Sequence, residues 1–499
     1  MLIEILLVCL SAAVPLMLCL ATLHLWRLHV NASRDRACGL PLPPGTYGVP
    51  FIGETAHFAI WGAEFYKCRR EAFGHVYKTH ILGQPTIRVI GADNVAKVLR
   101  GEGTLVTSKW PASVRMLLGD GLVSAEGDTL RRRRRAVMRA FDATSLASYV
   151  PGIEEVAADV VQQCLDADDV VLLQPKIKEM TFRVAADCLL GIDFRGSELS
   201  EWAALYQNVL NNLFSLPVKI PGLGLYKALK SRDQLFVKMD TLIDRELEHL
   251  TSGTDHIPNG KAFSRLVTAW HADAASESGI SREELKFAIF EMLLLGHETT
   301  SSACSMLAMQ LYKNPKALGK VRQELEDFGL TDPEAPLKLP LINKLDYVNS
   351  CVKEVLRILP PTGGGYRRVL QTFEINGFQI PKDWTVIYSI RDTHEVQDTS
   401  PRPDVFCPDR WTNGGGAATS KTTDYSYIPF GAGARACIGR EFAKLVMKVF
   451  CVQLARSCSY RLLNADGALR LLPVPAARDD MPATFMSRSD VNNNVTISC

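Results

Sequence analysis

One cysteine, Cys437, lies in a glycine-rich turn that leads directly into a predicted helix, and this arrangement suits metal ligation. The segment reads Phe430-Gly-Ala-Gly-Ala-Arg-Ala-Cys-Ile-Gly439, and the helix is predicted from Arg440 onward. Free N–H groups and the dipole at a helix N-terminus favour a thiolate. A buried thiolate suits an iron ligand, whereas a buried structural cysteine is the alternative that this residue alone leaves open.

Three neighbours of Cys437 have the properties needed to hold a flat cofactor beside the sulfur. Gly433 and Gly439 are expected to adopt positive φ and to let the backbone approach the cofactor closely. Arg435 is expected to pair with an anionic group on it. The spacing Phe-x-x-Gly-x-Arg-x-Cys-x-Gly therefore favours a cofactor site over a structural cysteine.

This segment resembles the haem-binding signature of the cytochrome P450 family at every defining position. The resemblance implies that Cys437 is the axial ligand of a haem b iron, whose thiolate favours O–O cleavage. It implies that Phe430, Gly433 and Gly439 shape the loop that contacts the haem. It also implies the cytochrome P450 fold, mainly α with a small β region, preceded here by one N-terminal transmembrane helix.

A second candidate site lies on a long helix predicted between the capping box Ser281-Arg-Glu-Glu284 and Asn314-Pro315, roughly 30 residues or ~45 Å. Its middle reads Gly296-His-Glu-Thr-Thr300. In the resembled family, the residues matching Thr299 and Glu298 support protonation of dioxygen and proton delivery. A polar surface patch on an ordinary helix is the alternative.

Two neighbours on this helix need separate interpretation. Leu295 departs from the family pattern, because the residue before Gly296 is small in most relatives, and its bulk is expected to crowd the oxygen or substrate site. His297 is expected to pack or to form a hydrogen bond rather than to bind a metal.

Glu354 and Arg357 lie three residues apart on one face of a predicted helix, where a surface ion pair is the default interpretation. Downstream, Phe406-Cys-Pro-Asp-Arg-Trp411 resembles the meander of the family. The resemblance adds Arg410 as the third member of a network that is structural and holds the haem-binding core.

Haem propionates need cations, and the resemblance implies three: Arg134, Arg367 and Arg435. Leu130 stands where most relatives carry tryptophan, so one propionate is expected to lose an indole donor. The basic run from Arg131 to Arg135 is either a solvated helix face or a docking site for an acidic redox partner.

Long segments outside these motifs resemble the subgroup of the family that hydroxylates retinoic acid. They are Leu42–Thr55, Val76–His80, Gly91–Val95, Trp110–Arg115, Ala136–Phe141, Asn212–Val218, Val386–Ile390, Asp392–His394, Glu441–Lys444 and Gln453–Arg456.

A lipophilic acid needs a long apolar channel, preferably with a cation near its mouth. The resemblance to this subgroup implies that the channel is lined by Trp110, Phe214, Leu294, Leu295, Thr362 and Val474. Arg115 or Arg88 is a candidate partner for the carboxylate, although Arg88 is alternatively a strand-surface charge, and the two aromatics are alternatively ordinary core residues. Leu294 replaces the usual aromatic and Thr362-Gly363 the usual Val-Pro pair, which would favour another retinoid or another lipid.

The N-terminal residues Leu2 to Trp26 are almost wholly apolar and long enough to span a bilayer, and they lack the small-residue cleavage pattern of a signal peptide. Arg27, Arg34 and Arg36 follow the span, so the positive-inside rule predicts that the rest of the chain is cytosolic. A cleaved signal peptide is the alternative.

Three regions are expected: an anchor (1–26), a basic, Pro-rich linker that acts as a hinge to the membrane (27–44) and a haem-thiolate monooxygenase domain (45–499). Near the start of the last, two strands, Val76 to Ile81 and Thr86 to Ile90, are predicted to be joined by a tight turn at Gly83-Gln84.

Composition excludes several other classes of protein. The net charge of +2 gives no nucleic-acid signal, and 47% hydrophobic residues in 499 can bury a large core. Thirteen cysteines without a C-x-x-C motif argue against a disulfide framework and against a zinc site.

The resemblance implies a monooxygenase of the endoplasmic reticulum membrane that hydroxylates all-trans retinoic acid, using dioxygen and electrons that NADPH-cytochrome P450 reductase takes from NADPH. Hydroxylation of a sterol or other isoprenoid lipid is one alternative. A catalytically silent, haem-containing lipid-binding protein is the other, and it is motivated by Leu295 and Leu130.

Overall fold

The computed structural model describes residues 2–119, 121–191, 197–251, 261–273, 280–396, 402–412 and 425–488. The helices are α1 (Leu2–Ala32), α2 (Thr55–Trp61), α3 (Ala63–Phe73), α4 (Ala92–Arg100), α5 (Ala112–Leu118), α6 (Gly127–Met138), α7 (Ala143–Leu165), α8 (Leu173–Ala185), α9 (Ser197–Asn211), α10 (Gly224–Thr251), α11 (Ala262–Asp273), α12 (Arg282–Lys313), α13 (Pro315–Asp327), α14 (Leu339–Ile342), α15 (Asp346–Ile358), α16 (Arg391–Glu395) and α17 (Arg440–Ser457).

The strands are short and few by comparison. They are β1 (Val76–Ile81), β2 (Gln84–Val89), β3 (Val106–Ser108), β4 (Val171–Leu172), β5 (Gly364–Val369), β6 (Phe373–Ile375), β7 (Phe378–Ile380), β8 (Thr385–Ser389), β9 (Cys458–Leu462), β10 (Leu469–Arg470), β11 (Ala476–Ala477) and β12 (Pro482–Ser487). The predicted fold class, mainly α with a small β region, is confirmed.

The chain divides into two compact units. The first contains Met1–Lys109 and Gly364–Thr393, and the second contains Trp110–Gly363 and His394–Cys499. The first unit holds a five-stranded sheet in the order β1-β2-β8-β5-β3. Within it, β2 runs parallel to β8, and β5 lies antiparallel between β8 and β3.

The hairpin of the first unit is present, but its turn lies one residue earlier than predicted. Strands β1 and β2 pair from Val76 with Val89 to Ile81 with Gln84, which leaves Leu82 and Gly83 as the two turn residues. Both have positive φ, 51° and 73°. Type I′ turns require this conformation at both central positions, and it matches the twist of the strands they join.

Helix α1 continues past the predicted end of the anchor at Trp26 as far as Ala32. Within the part of the chain that the structure describes, Ala13–Ala32 is the stretch long and apolar enough to cross a membrane by length and composition. Beyond the helix, the Ser33 hydroxyl lies 2.9 Å from the indole nitrogen of Trp384, which donates to it.

The Pro-rich segment after α1 is hydrogen-bonded to strands β1 and β7 rather than free as a hinge. Lys78 of β1 donates from its backbone N–H to Pro44 O (2.8 Å) and from Nζ to Pro43 O (2.7 Å). The backbone N–H of Gln379 in β7 donates to Pro41 O at 2.9 Å. Prolines have no N–H but keep their carbonyl acceptors, so the predicted stiffness is present while the predicted hinge is absent.

The core of the second unit is built around α12, with α8, α15 and α17 among the helices packed on it, and α7 packs in turn on α8 and α17. Both hydrogen bonds of the predicted capping box are present: Glu284 N–H donates to Ser281 Oγ (3.1 Å), and Ser281 N–H donates to Glu284 Oε2 (2.6 Å). Asn314 caps the other end, so the predicted bounds of the long helix are confirmed. Its side chains are buried on nearly all sides, as expected of a central helix.

Candidate functional site

The loop that carries Cys437 is closed by its own backbone. The Cys437 N–H donates to Phe430 O at 2.9 Å, and Gly433 has a φ of +70°, as predicted. Gly439, by contrast, has a φ of −79° and serves as the N-cap of α17, so the prediction of positive φ there is wrong. A Cβ at Gly439 would still meet no atom within 4 Å, which leaves room for a flat group to approach the backbone.

The Cys437 sulfur is both reachable and surrounded. Its side chain is exposed, yet burial by the surrounding protein raises its pKa, while the Gly439 N–H and the charges of Arg134 and Arg440 act to lower it. The helix terminus alone therefore does not ionise this thiol, whereas a metal ion that binds it displaces the proton.

Two of the predicted propionate partners lie beside this loop. Arg134 of α6 donates from Nη2 to Ala436 O at 2.8 Å, and Arg435 donates from Nη2 to Ala125 O at 2.7 Å. Each guanidinium has five N–H donors in a planar fork, so these bonds do not exhaust its capacity to bind a carboxylate.

Arg367 belongs to the first unit, where it is buried in β5. Its Nε lies 3.0 Å from Glu102 Oε2, and its Nη1 donates to Tyr366 O at 2.9 Å. Its role toward a propionate stays a prediction. Leu130 of α6 is buried, and its apolar side chain supplies no hydrogen-bond donor at the position where most relatives carry tryptophan.

A stripe of less buried residues runs along the middle of α12. Met292, Leu295, Gly296 and Thr299 are all partly or fully exposed, and Leu295 reaches 38%. Residues at these spacings share one helix face. Leu294, in contrast, is 0% exposed, so only Leu295 of the two predicted channel leucines lies on the stripe.

The hydroxyl of Thr299 donates to Leu295 O at 2.6 Å, a bond to the preceding turn of the helix. As a donor in that bond, the hydroxyl oxygen keeps its lone pairs as acceptors. The neighbouring Thr300 is buried and donates to Gly296 O at 2.6 Å. Thr299 is therefore the threonine of this pair that a bound molecule can reach.

The side chains of Glu298 and His297 both bind other groups of the protein. Glu298 Oε2 lies 2.6 Å from Lys178 Nζ of α8. His297 is buried, its Nδ1 donates to Leu293 O at 2.6 Å, and it packs edge-on against Phe182. Burial lowers the pKa of His297, so the ring is neutral and acts as a packing residue, as expected.

Glu354 is completely buried and accepts hydrogen bonds from several directions. Arg357 binds it with Nε and Nη2, both at 3.0 Å, and Arg410 Nε donates to Oε1 at 2.9 Å. Sequence reasoning missed two further donors, the Trp411 indole (2.8 Å) and the Cys407 backbone N–H (2.9 Å). The arrangement is a bidentate ion pair at the centre of a larger network.

His394 links this network to the chain that enters the Cys437 loop. Its Nε2 accepts from the Ile428 N–H at 2.9 Å, so the proton is on Nδ1, which donates to Arg357 O at 3.1 Å. Ile428 lies two residues before Phe430. No local sequence pattern points to this role, because the partners of His394 lie far from it along the chain.

The basic run on α6 is used partly inside the protein. Arg132 and Arg133 both bind Glu284 at the start of α12, with N–O distances of 2.8 and 2.6 Å. Burial raises the pKa of Glu284, but hydrogen bonds from Arg132, the Ser281 N–H and Arg133 outweigh it and lower the pKa to about 2. Arg131 and Arg135 stay exposed and are the members available to a partner.

The two arginines considered for a substrate carboxylate differ sharply. Arg88 is buried in β2, donates to Asp392 Oδ2 at 2.8 Å and lies over the Tyr66 ring at 4.0 Å. Its charge is therefore already matched within the first unit. Arg115 is exposed on α5, and its side chain has no hydrogen bond or ion pair with the residues that the structure describes.

The other predicted channel residues all belong to the second unit. Trp110 is partly buried against the core, whereas Phe214 and Thr362 are exposed. Val474 is buried in a loop that α12 holds, because Ser302 Oγ donates to Pro475 O at 2.6 Å. The structure thus brings Val474 to the helix that carries the exposed stripe.

Comparison with known proteins extends these observations to most of the chain. A profile of the cytochrome P450 family matches residues 43–471. The chain is 38% identical over 482 residues to cytochrome P450 26A1 of Gallus gallus, covering 95% of this chain and 96% of that protein. It is 37% identical over 481 residues to cytochrome P450 26B1 of Homo sapiens, covering 95% and 92%.

A solved structure of retinoic acid-bound cyanobacterial CYP120A1 is also similar. The TM-score is 0.81 at 30% sequence identity, and the match covers 90% of this chain and all of that one. The similarity therefore reaches well beyond the Cys437 loop.

Proposed function

This chain belongs to the cytochrome P450 family, and from that premise we propose that it is a membrane-anchored haem-thiolate monooxygenase that hydroxylates all-trans retinoic acid. The observation that carries the proposal is the exposed stripe of α12, which brings an apolar side chain, Leu295, and a reachable hydroxyl, Thr299, to one face of a buried helix. The similarity of this chain to a protein solved with retinoic acid bound supports the choice of substrate.

The residues around Cys437 fit haem b. Cys437 offers a soft ligand for iron, Arg134 and Arg435 offer donors for the propionates, and Gly439 leaves the backbone open. When bound, haem supplies the reductive activation of dioxygen, with electrons that originate in NADPH and arrive through NADPH-cytochrome P450 reductase. The exposed Arg131 and Arg135 are the cations proposed to meet that partner.

The proton needed for hydroxylation is proposed to pass through Thr299. Its hydroxyl is held by Leu295 O, so rotation about χ1 exchanges that bond for one to a molecule on the stripe. Glu298 holds its proton-accepting oxygen at Lys178, 2.6 Å away, and this pair has to open before the acid can serve the stripe. The ion pair with Lys178 therefore holds the Glu298 carboxylate away from the exposed stripe until the pair opens.

The apolar and cationic side chains that a substrate can reach indicate the class of substrate proposed. An apolar lining suits a polyene, and the exposed Arg115 suits a carboxylate at the channel mouth. Arg88 is excluded from that role in the proposal because Asp392 already neutralises it. Hydroxylation of a ring carbon gives a more polar acid, which leaves an apolar channel more readily.

The endoplasmic reticulum is proposed as the membrane, with α1 as a single-pass anchor and the remainder cytosolic. The apolar stretch Ala13–Ala32 supports the anchor, and the basic residues that follow support the orientation.

The proposal is tested with the full-length protein in membranes containing reductase and NADPH. We expect a hydroxylated product of all-trans retinoic acid, detected by mass spectrometry and absent without reductase. Cholesterol is assayed in parallel. If cholesterol alone is oxidised, or neither lipid is although the reduced, carbon-monoxide-bound protein has an intact thiolate spectrum, the retinoid assignment is wrong.

Leu295→Ala is expected to raise kcat/KM for all-trans retinoic acid about fivefold, which corresponds to about 1 kcal/mol of relieved crowding. The side chain is 38% exposed, so little packing is lost with it. The measurement is steady-state kinetics per mole of haem-loaded protein.

The neighbouring Leu294→Ala is the matched control for that variant. Leu294 is fully buried, so its truncation should cost about 2–5 kcal/mol of stability without widening the stripe. An unchanged kcat/KM in Leu295→Ala would show that Leu295 does not crowd the site.

A further inference from the structure

The geometry points to Glu291 as a positioning residue that fixes one wall of the substrate space, the loop of residues 121–125, against α12. The wall matters only if a substrate occupies the exposed stripe of α12, so the inference rests on the proposed hydroxylase function. Glu291 itself is buried and is not proposed to touch the substrate.

Both oxygens of Glu291 bind the backbone of this loop. Leu122 N–H donates to Oε2 at 2.7 Å, and Val123 N–H donates to Oε1 at 3.2 Å. Two consecutive amides therefore converge on one carboxylate. Each bond ties one backbone N–H of the loop to α12, so breaking both would release the loop from this helix.

Two glycines allow the chain to approach α12 this closely. A Cβ at Gly121 would lie 2.0 Å from Glu291 Oε1, and one at Gly119 would lie 2.4 Å from Phe287 Cζ. Phe287 and Glu291 are one turn apart on the same face of α12. A larger residue at either glycine would push the chain away from α12. The two glycines therefore allow the close approach that the Glu291 carboxylate needs to bind the loop.

The same loop is held from two other sides. Arg133 of α6 donates from Nη1 to Gly121 O at 3.1 Å, and Arg435 from the Cys437 loop donates to Ala125 O at 2.7 Å. Glu291 is the anchor that fixes the loop to α12. Releasing it would leave the ends tied while the middle, Leu122 and Val123, moves.

The position of this anchor relative to the stripe gives it an effect on the substrate. Leu295 follows Glu291 by four residues, so the anchored loop borders the stripe at its N-terminal end. Leu122 and Val123 are themselves partly exposed. At the other end, Ser302 holds the loop that carries Val474. The helix thus fixes a wall at each end of the stripe.

Burial raises the pKa of Glu291 to about 8, although the N–H groups of Val123 and Leu122 and the charge of Arg133 act to lower it. A carboxyl at this depth costs the fold stability wherever it is ionised. An apolar residue would pack here without that cost, but it would not bind the loop.

The test is Glu291→Gln in the full-length, haem-loaded protein. Glutamine keeps the shape but turns an NH₂ group toward one of the two amides, which loses its acceptor on α12. We expect amide hydrogen exchange of Leu122 and Val123 to accelerate about tenfold. We also expect KM for all-trans retinoic acid to rise about tenfold while kcat changes less than about twofold.

Glu324→Gln is the matched control. Glu324 of α13 also accepts two consecutive backbone N–H groups, from Tyr347 (2.7 Å) and Val348 (2.9 Å), but outside the loop of residues 121–125. Its replacement should leave the exchange of this loop and KM at parental values. Equal changes in both variants would reduce the role of Glu291 to general stability and overturn the inference.

A pair of haem ligands separates this inference from the proposed function. We expect the bulky clotrimazole to extend to the loop and the small imidazole to bind clear of it, so Glu291→Gln should weaken only clotrimazole binding in spectral titrations. If the parent fails to hydroxylate retinoic acid but this difference is present, the substrate is wrong and the positioning role stands. If exchange and clotrimazole binding both match the parent, the positioning role is wrong, whatever the substrate.

Discussion

Replacing Cys437 by alanine is expected to abolish hydroxylation of retinoic acid, with a loss of at least about a thousandfold, or about 4 kcal/mol of activation free energy. Alanine removes the sulfur while the loop keeps its backbone bond to Phe430 O. Within the described residues, no cluster of His, Cys, Asp or Glu offers an alternative metal site. Haem content, the carbon-monoxide spectrum and product formation are the measurements.

Cys407→Ala is the control for this variant. Cys407 contributes its backbone N–H to Glu354, and alanine retains that N–H, so activity and haem content should stay near parental values. Circular dichroism confirms that both variants are folded. Hydroxylation that persists undiminished in Cys437→Ala would exclude a thiolate-ligated iron.

Glu354→Gln is expected to lower the free energy of unfolding by about 3–5 kcal/mol and to reduce the fraction of protein that retains haem. The uncharged amide leaves the buried Arg357 and the nearby Arg410 without their counter-charge and faces them with an NH₂ group. It also weakens the acceptor for the Trp411 indole. Thermal unfolding and haem absorbance per mole of protein are the measurements.

Glu441→Gln provides the comparison for a solvent-exposed pair near Cys437. Glu441 binds Arg440 at 2.8 Å with about half of each side chain exposed, so its loss should cost between about 0 and 1 kcal/mol. If Glu354→Gln unfolded at the same temperature as the parent and retained its haem, the buried network would not support the cofactor-binding core.

Patterns confined to one segment were predictable from the sequence. The start of α12 followed from its capping box, its end from Asn314-Pro315, and the contact between Glu354 and Arg357 from their helical spacing. These features depend on residues that are neighbours along the chain, so their geometry is set by the local backbone.

Features that depend on distant partners were not predictable in the same way. Arg88 was a substrate candidate until the fold paired it with Asp392, 304 residues away in sequence. Leu294 and Leu295 are the same residue type at adjacent positions, yet only Leu295 lies on the exposed stripe. Glu291 and His394 gave no signal, because each acts on backbone N–H groups, which every sequence supplies.

The Pro-rich segment described in the first unit has a mechanical consequence. Because Pro43 and Pro44 are hydrogen-bonded to Lys78 of β1, the segment that follows α1 is fixed to the five-stranded sheet. If α1 is the membrane anchor proposed above, a bilayer that changes the tilt of α1 applies torque to β1 through these bonds. In that case, membrane thickness is expected to influence the angle between the sheet and the lipid surface.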